Sequence, residues 1–225
     1  MDGGTSITIA EMPASGADDA QAVIAGKKQR VVERPPSDHY PSPPEATRAL
    51  LSVERFAGGI WECCAGRGDM AAELRMAGYT VAATTIEEGR HERAFPKHMV
   101  TGGVDVLKET RRRHDTAITN PPYKLTEEII RHLICLGCVN IAMLLNIKFL
   151  SSEGRSEFFE KYPPANIWVF RDRITMYPHG YEGPKGSTTE TFAWFVWRSP
   201  FHSRPPQIGW ITAKHFRDKR DDSQA

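Results

Sequence analysis

Apolar and polar positions along this chain follow two periods, and the switches between them mark out the elements. From 45 to 56 the residues Ala46, Ala49, Leu50, Val53 and Phe56 recur at helical spacing, and Gly58-Gly59 closes the stretch. Ile60-Trp61-Glu62-Cys63 reads as a short strand that runs into Gly66-Arg67-Gly68. A helix is expected over 69–77, closed by Gly78, then a Thr- and Val-rich strand over 79–86 and a shorter one over 104–107. Residues 115–119 read as a strand ending in Asn120-Pro121-Pro122-Tyr123. The helix expected next, over 126–136, carries Ile129, Ile130, Leu133 and Ile134 on its apolar side. A buried strand over 140–146, a helix over 153–162 and two strands, 167–176 and 191–198, complete the pattern.

Strand, turn and helix in repetition predict an α/β fold, a mostly parallel sheet with helices on both faces. No helix fits between 176 and 191, so the last pair is expected to be antiparallel. In doubly wound sheets ligands sit beyond the carboxyl ends of the strands, and the two sharpest motifs fall there.

Both ends of the chain differ from this middle. Residues 1–36 are rich in Gly, Ala, Ser, Asp and Gln, turn basic at Lys27-Lys28-Gln29-Arg30 and end in Pro35-Pro36. Such a segment buries too little apolar surface to offset ordering entropy, so a disordered tail is expected. Residues 213–225 form a polar tail, which leaves 37–212 as one domain. Lys and Arg number 29 against 28 Asp and Glu, so general coating of a polyanion is not expected, although a local basic face is compatible with the balance. No apolar run approaches the ~20 residues of a spanning helix. The opening residues lack a basic start followed by an apolar stretch, and four cysteines are too few for a disulfide scaffold, so a reducing cytoplasm is expected.

The first motif is Glu62-Cys63-Cys64-Ala65-Gly66-Arg67-Gly68, between a strand and a helix. Its glycines let the backbone turn tightly and approach a ligand, and an acid at a strand end accepts hydrogen bonds from a hydroxyl or an amino group. Ala71 stands where a dinucleotide fingerprint has its third glycine, and no Gly-Lys-Ser/Thr follows, so ATP hydrolysis has no support. Read alone, the turn is also compatible with any tight strand-to-helix connection. The second motif is Asn120-Pro121-Pro122-Tyr123. Two prolines stiffen the turn, its amide and carbonyl groups offer fixed hydrogen-bonding positions, and its ring can stack on a flat substrate. A planar amino group is a poor nucleophile because its lone pair is conjugated. Acceptors that hold its hydrogens favour the rehybridised, attacking form.

Other patterns carry less. Cys135-x-x-Cys138 sits at a helix end, where cysteine acts as a small apolar residue, and the eight histidines show no ligand spacing, so no metal is expected. The run Arg111-Arg112-Arg113-His114 reads as a solvated stretch before a strand, with phosphate contact as its alternative. Trp194, Phe195 and Trp197 read as core.

Together and in this order, the two motifs resemble those of class I S-adenosylmethionine-dependent methyltransferases of the adenine-N6 type. Glu62 to Gly68 looks like the E-P-x-A-G-x-G cofactor loop, with Cys63 in place of proline, and Asn120 to Tyr123 matches the N-P-P-Y tetrapeptide throughout. Tyr40-Pro41-Ser42-Pro43 is similar to the Tyr-x-Thr-Pro element that covers the cofactor, and short bacteriophage and prophage methyltransferase-like proteins look closest, over roughly residues 38–200. The resemblance implies a Rossmann-like class I methyltransferase fold with an antiparallel last strand. It implies S-adenosylmethionine held by Tyr40, Ser42, Pro43, Glu62, Cys64, Ala65, Gly66 and Gly68, with Asp105 at its adenine and Asn120 beside it. Thr85 occupies the place of the ribose-binding acid, and Glu87 is taken as its replacement.

Asn120 and the Pro121 carbonyl would hold the target amine beside Pro122, with Tyr123 stacked on the base. The methyl would pass in one in-line displacement without a metal. Nucleic acid is the expected partner, DNA ahead of RNA, with Arg112, Lys148 and Arg173 as candidate contacts. No insertion large enough for a target-recognition domain is present. Two further readings stand beside this one: methylation of a glutamine or other protein amide, and a non-catalytic module that binds the cofactor.

Overall fold

The structure, a computed structural model, describes residues 41–88, 99–151, 153–176, 190–200 and 205–217. Seven strands form one sheet in the order β2-β1-β3-β4-β6-β5-β7. They are β1 (Ile60–Glu62), β2 (Val81–Ala83), β3 (Thr116–Thr119), β4 (Asn140–Asn146), β5 (Asn166–Phe170), β6 (Phe192–Arg198) and β7 (Gln207–Ile211). The helices are α1 (Pro44–Val53), α2 (Asp69–Met76), α3 (Thr126–Cys135) and α4 (Ser156–Lys161). Strands β2, β1, β3 and β4 run parallel, and β6 lies antiparallel to both β4 and β5, as expected for the pair over 167–176 and 191–198.

Alternation along each strand divides the core into two layers. Ile60, Ile118, Leu144 and Trp194 face α1 and α2, meeting Ala46, Leu50, Met70 and Leu74. Trp61, Met143, Phe195 and Trp197 face the other way, toward Ile129, Ile130 and Leu133 of α3 and Phe158 of α4. The buried indoles find acceptors: Trp61 donates to Thr84 Oγ1, Trp194 to the Ala46 carbonyl and Trp197 to the Tyr162 carbonyl, each at 2.9 Å. At the end of α1 the buried Glu54 accepts from Asn166 Nδ2 (2.7 Å) and Trp168 Nε1 (2.8 Å) and pairs with Arg198, which ties the helix to β5 and β6.

Three expectations are corrected. The segment expected as a strand at 104–107 is a 3-10 turn, Val106–Lys108, because Asp105 Oδ1 accepts from the Leu107 amide (3.0 Å) and curls the chain. The last strand is β7, which pairs parallel to β5 beyond β6. Its Gly209 weakens the strand signal, yet the position requires glycine: a Cβ there would run into the Trp168 ring. The strand expected over 167–176 stops at Phe170, because Asp172 leaves the sheet to accept from the amides of Ala213 (2.9 Å) and Lys214 (2.7 Å). Those bonds bring a 3-10 turn, Lys214–Phe216, against α1, where Arg48 donates to the Phe216 carbonyl (2.9 Å). Among the described residues, no helix is long and apolar enough to cross a membrane.

Candidate active site

The sheet reverses direction at β1: the chain first adds β2 on one side, then returns to add β3 on the other. A crevice opens at the carboxyl ends of such neighbours, since their connections leave on opposite faces. Here it is a cavity of about 490 Å³, and its walls include Glu62 and the turn after β1 together with Asn120 and Pro122 after β3.

The β1 turn is shaped by backbone geometry. Gly66 and Gly68 have φ of 51° and 84°, and a Cβ on Gly68 would meet Val100 Cγ2 at 2.7 Å. The Ala65 amide donates to the Thr84 carbonyl (2.8 Å) and the Cys64 amide to Thr119 Oγ1 (3.2 Å), so the turn is stitched to β2 and to the end of β3. Gly68→Ala is expected to cost about 1–2 kcal/mol from the left-handed backbone alone. The contact with Val100 adds to this, and thermal unfolding would show it as a Tm lowered by several degrees.

Glu62 is 2 % exposed, and its Oε2 accepts no hydrogen bond among the described residues. Burial pushes its carboxyl well above the usual range, with Cys64 and Asp69 adding in the same direction. The Ala71 amide and the Arg75 guanidinium pull it back. A buried acid with an unmatched oxygen on a cavity wall suits a cationic or strongly donating ligand group.

Asn120 follows β3 directly. Its Nδ2 donates to Ser42 Oγ (3.2 Å) and lies 3.7 Å from Met176 Sδ. The Pro122 carbonyl accepts from the Leu125 amide (3.0 Å) and from Thr126 Oγ1 (3.2 Å), which folds the tetrapeptide into the start of α3.

Of the cofactor residues expected from sequence, Ser42, Glu62, Cys64, Ala65 and Gly66 line the cavity. Glu87, Asp105 and Asn120 do so as well. Pro43 caps α1 beside the wall, and Gly68 caps α2 behind it. Tyr40 lies outside the described residues. Pro121 is buried, and the half-buried Tyr123 rests against the core layer that contains Trp194.

The candidate nucleic-acid contacts divide. Arg112 sits before the amino end of β3, opposite the cavity, where it pairs with Asp115 (2.6 Å). Lys148 follows β4 on the cavity's side of the sheet and pairs with Glu190 (3.1 Å). Arg173 is exposed beyond the carboxyl end of β5. Cys135 and Cys138 face different surroundings, one exposed and the other buried.

Sequence reasoning passed over the apolar residues on the cavity wall, among them the exposed Ile86 (63 %) and Leu125 (40 %). Leu125 stands four residues before Ile129, which also lines the cavity, so the helical spacing that marked α3 carried the signal.

No family model matches the chain, and no curated protein matches it. Solved structures do. A proposed RNA methyltransferase from Pyrococcus horikoshii superposes with a TM-score of 0.54 at 13 % identity, over 72 % of this chain and 86 % of that one. A dimethyladenosine transferase from Plasmodium falciparum superposes at 0.50 and 11 % identity, over 71 % of this chain and 62 % of that one. At these identities the likeness is one of fold: the chain has the Rossmann-like α/β fold of class I methyltransferases.

Proposed function

We propose that this chain is an S-adenosylmethionine-dependent N-methyltransferase whose target is a planar nitrogen, adenine N6 in nucleic acid, with DNA ahead of RNA. The observation that carries the reading is that a buried acid with an unmatched oxygen shares one cavity, at the sheet's reversal point, with Asn120 and Pro122 of the Asn-Pro-Pro-Tyr turn. The residues present fit the cofactor: Glu62 suits its amino-acid end, the Gly66–Gly68 turn gives close backbone approach, and Glu87 and Asp105 offer acceptors for hydroxyl and amino groups.

When bound, the sulfonium supplies an activated methyl group. Asn120 and the Pro121 carbonyl accept from the target amine, draw its lone pair out of conjugation and hold it for attack. Tyr123, half-buried against the core layer that contains Trp194, would turn outward to stack on the target ring, and the exposed apolar side chains of Ile86 and Leu125 give the cavity mouth a surface for a flat ring. A base within a duplex has to leave the stack to reach this turn.

A second reading rests on Lys148: its ion pair with Glu190 sets a carboxylate on the cavity's side of the sheet. That suits a protein amide better than a phosphate backbone. Labelled S-adenosylmethionine offered with duplex DNA, single-stranded DNA, RNA and cell-extract protein tests both. Label in one nucleic acid, absent with Asn120→Ala, is the expected result, and digestion to nucleosides then identifies the atom. Asn120-dependent label in protein alone would overturn the nucleic-acid reading in favour of the amide. No label in any substrate, with the cofactor bound, would overturn the enzyme reading.

A further inference from the structure

We infer that Ser42 and Met176 are positioning residues that fix which end of the Asn120 amide meets the substrate. The inference rests on the methyl-transfer reading above and deepens it. Three observations combine. The main chain at Asn120 is held by β3 on one side and by two prolines on the other, so the torsions left to set are those of the side chain. The outer torsion of an asparagine is intrinsically broad, and its two ends, one an acceptor and one a donor, have nearly the same shape. Both anchors touch the same end: Nδ2 is 3.2 Å from Ser42 Oγ and 3.7 Å from Met176 Sδ.

The two anchors do different work. A serine hydroxyl donates or accepts, so Ser42 alone would satisfy either orientation of the amide. A thioether only accepts, so Met176 selects the N–H end. With Nδ2 turned to this pair, Oδ1 points away from them, and it is the end suited to accept from a target amine. An inverted amide would offer N–H to N–H and oppose the reaction. The anchors enter from separate segments, one just before α1 and one after β5, so asparagine, serine and methionine meet only in the folded chain. Ser42, expected from the family resemblance to cover the cofactor, thereby acquires a second task.

The test uses the full chain and has one readout independent of turnover. In the protein without cofactor, the Asn120 side-chain amide resonances, assigned through Asn120→Ala, are followed in Ser42→Ala, Ser42→Thr and Met176→Leu. Ser42→Ala and Met176→Leu are expected to shift these resonances. Solvent exchange of the amide should speed up by about tenfold in Ser42→Ala, the scale of one lost hydrogen bond. Ser42→Thr, which keeps an acceptor oxygen, should restore the wild-type signature.

In turnover, Ser42→Ala is expected to lower kcat by about ten- to a hundredfold. Cofactor affinity should change far less than kcat, and all variants should melt near wild type. Unchanged resonances in both Ser42→Ala and Met176→Leu would overturn the inference. So would a wild-type kcat in Ser42→Ala while transfer remains dependent on Asn120. If the amide signature follows the anchors and no substrate is methylated, the positioning stands and the methyl-transfer reading falls.

Discussion

Asn120→Ala is expected to abolish methyl transfer while the cofactor still binds. On the proposed function the substitution removes the acceptor that would meet the amine as charge develops on it, and losing one such preorganised partner costs about 10²–10³-fold in kcat. The fold should tolerate the change. Asn120 lies beyond the last residue of β3, and the bonds that shape its turn run from the Pro122 carbonyl to Leu125 and Thr126. Single-turnover transfer measured beside equilibrium cofactor binding separates the two effects. Loss of cofactor binding in step with turnover would show that Asn120 holds the cofactor rather than the amine.

Glu62→Gln is expected to make the protein more stable at neutral pH and a weaker binder of the cofactor. Burial raises the carboxyl of Glu62 in the folded chain. A group whose folded pKa lies above its unfolded value gives its full stability below the unfolded value, about 4.3 for glutamate, and loses it as pH rises through the folded one. Wild type therefore carries a cost at pH 7 that glutamine removes, and the difference in Tm between the two should shrink toward pH 4. Binding runs the other way. A cationic amino group favours the ionised acid, so wild-type affinity should rise with pH and binding should release protons. Replacing the charged partner should cost about 1.5–3 kcal/mol of affinity. Calorimetry in two buffers of different ionisation enthalpy reads the proton count. A pH-independent affinity with no proton release would place the cofactor's amino group elsewhere.

These two residues were legible in the sequence for different reasons. Glu62 stood out through the order of the two motifs, since its own Gly-x-Gly turn also suits any tight strand-to-helix connection, and Asn120 because two prolines after a strand fix a rigid turn. The parallel strands around them showed as short apolar runs bounded by glycine or proline. Elements built by tertiary contact were hidden. β7 carries only three apolar side chains and a glycine, and its place beside β5 depends on the Trp168 ring, 41 residues earlier. The turn after Asp105 looked like a strand by composition, since its own side chain makes the bond that ends extension. Ser42 and Met176 could not be linked to Asn120 by spacing, because hydrogen bonds between distant segments leave no periodic trace.

The partners of α1 bear on how the chain folds as it is made. Apart from the Arg48–Glu73 pair (2.7 Å), the bonds that hold this helix reach far along the chain. Ala46 receives Trp194, Glu54 receives Asn166, Trp168 and Arg198, and Arg48 reaches the carbonyl of Phe216. A ten-residue helix is marginal by itself in water; α1 can rest early on Met70 and Leu74 of α2, but the hydrogen bonds that fix its ends wait for those later segments. During synthesis the segment that carries Ser42 would therefore be fixed in its final place only after β5, β6 and the Lys214–Phe216 turn are made. The Ser42 side of the cavity would be the final part to be fixed, and an incomplete chain would hold the cavity's other walls without the hydroxyl that meets the Asn120 amide.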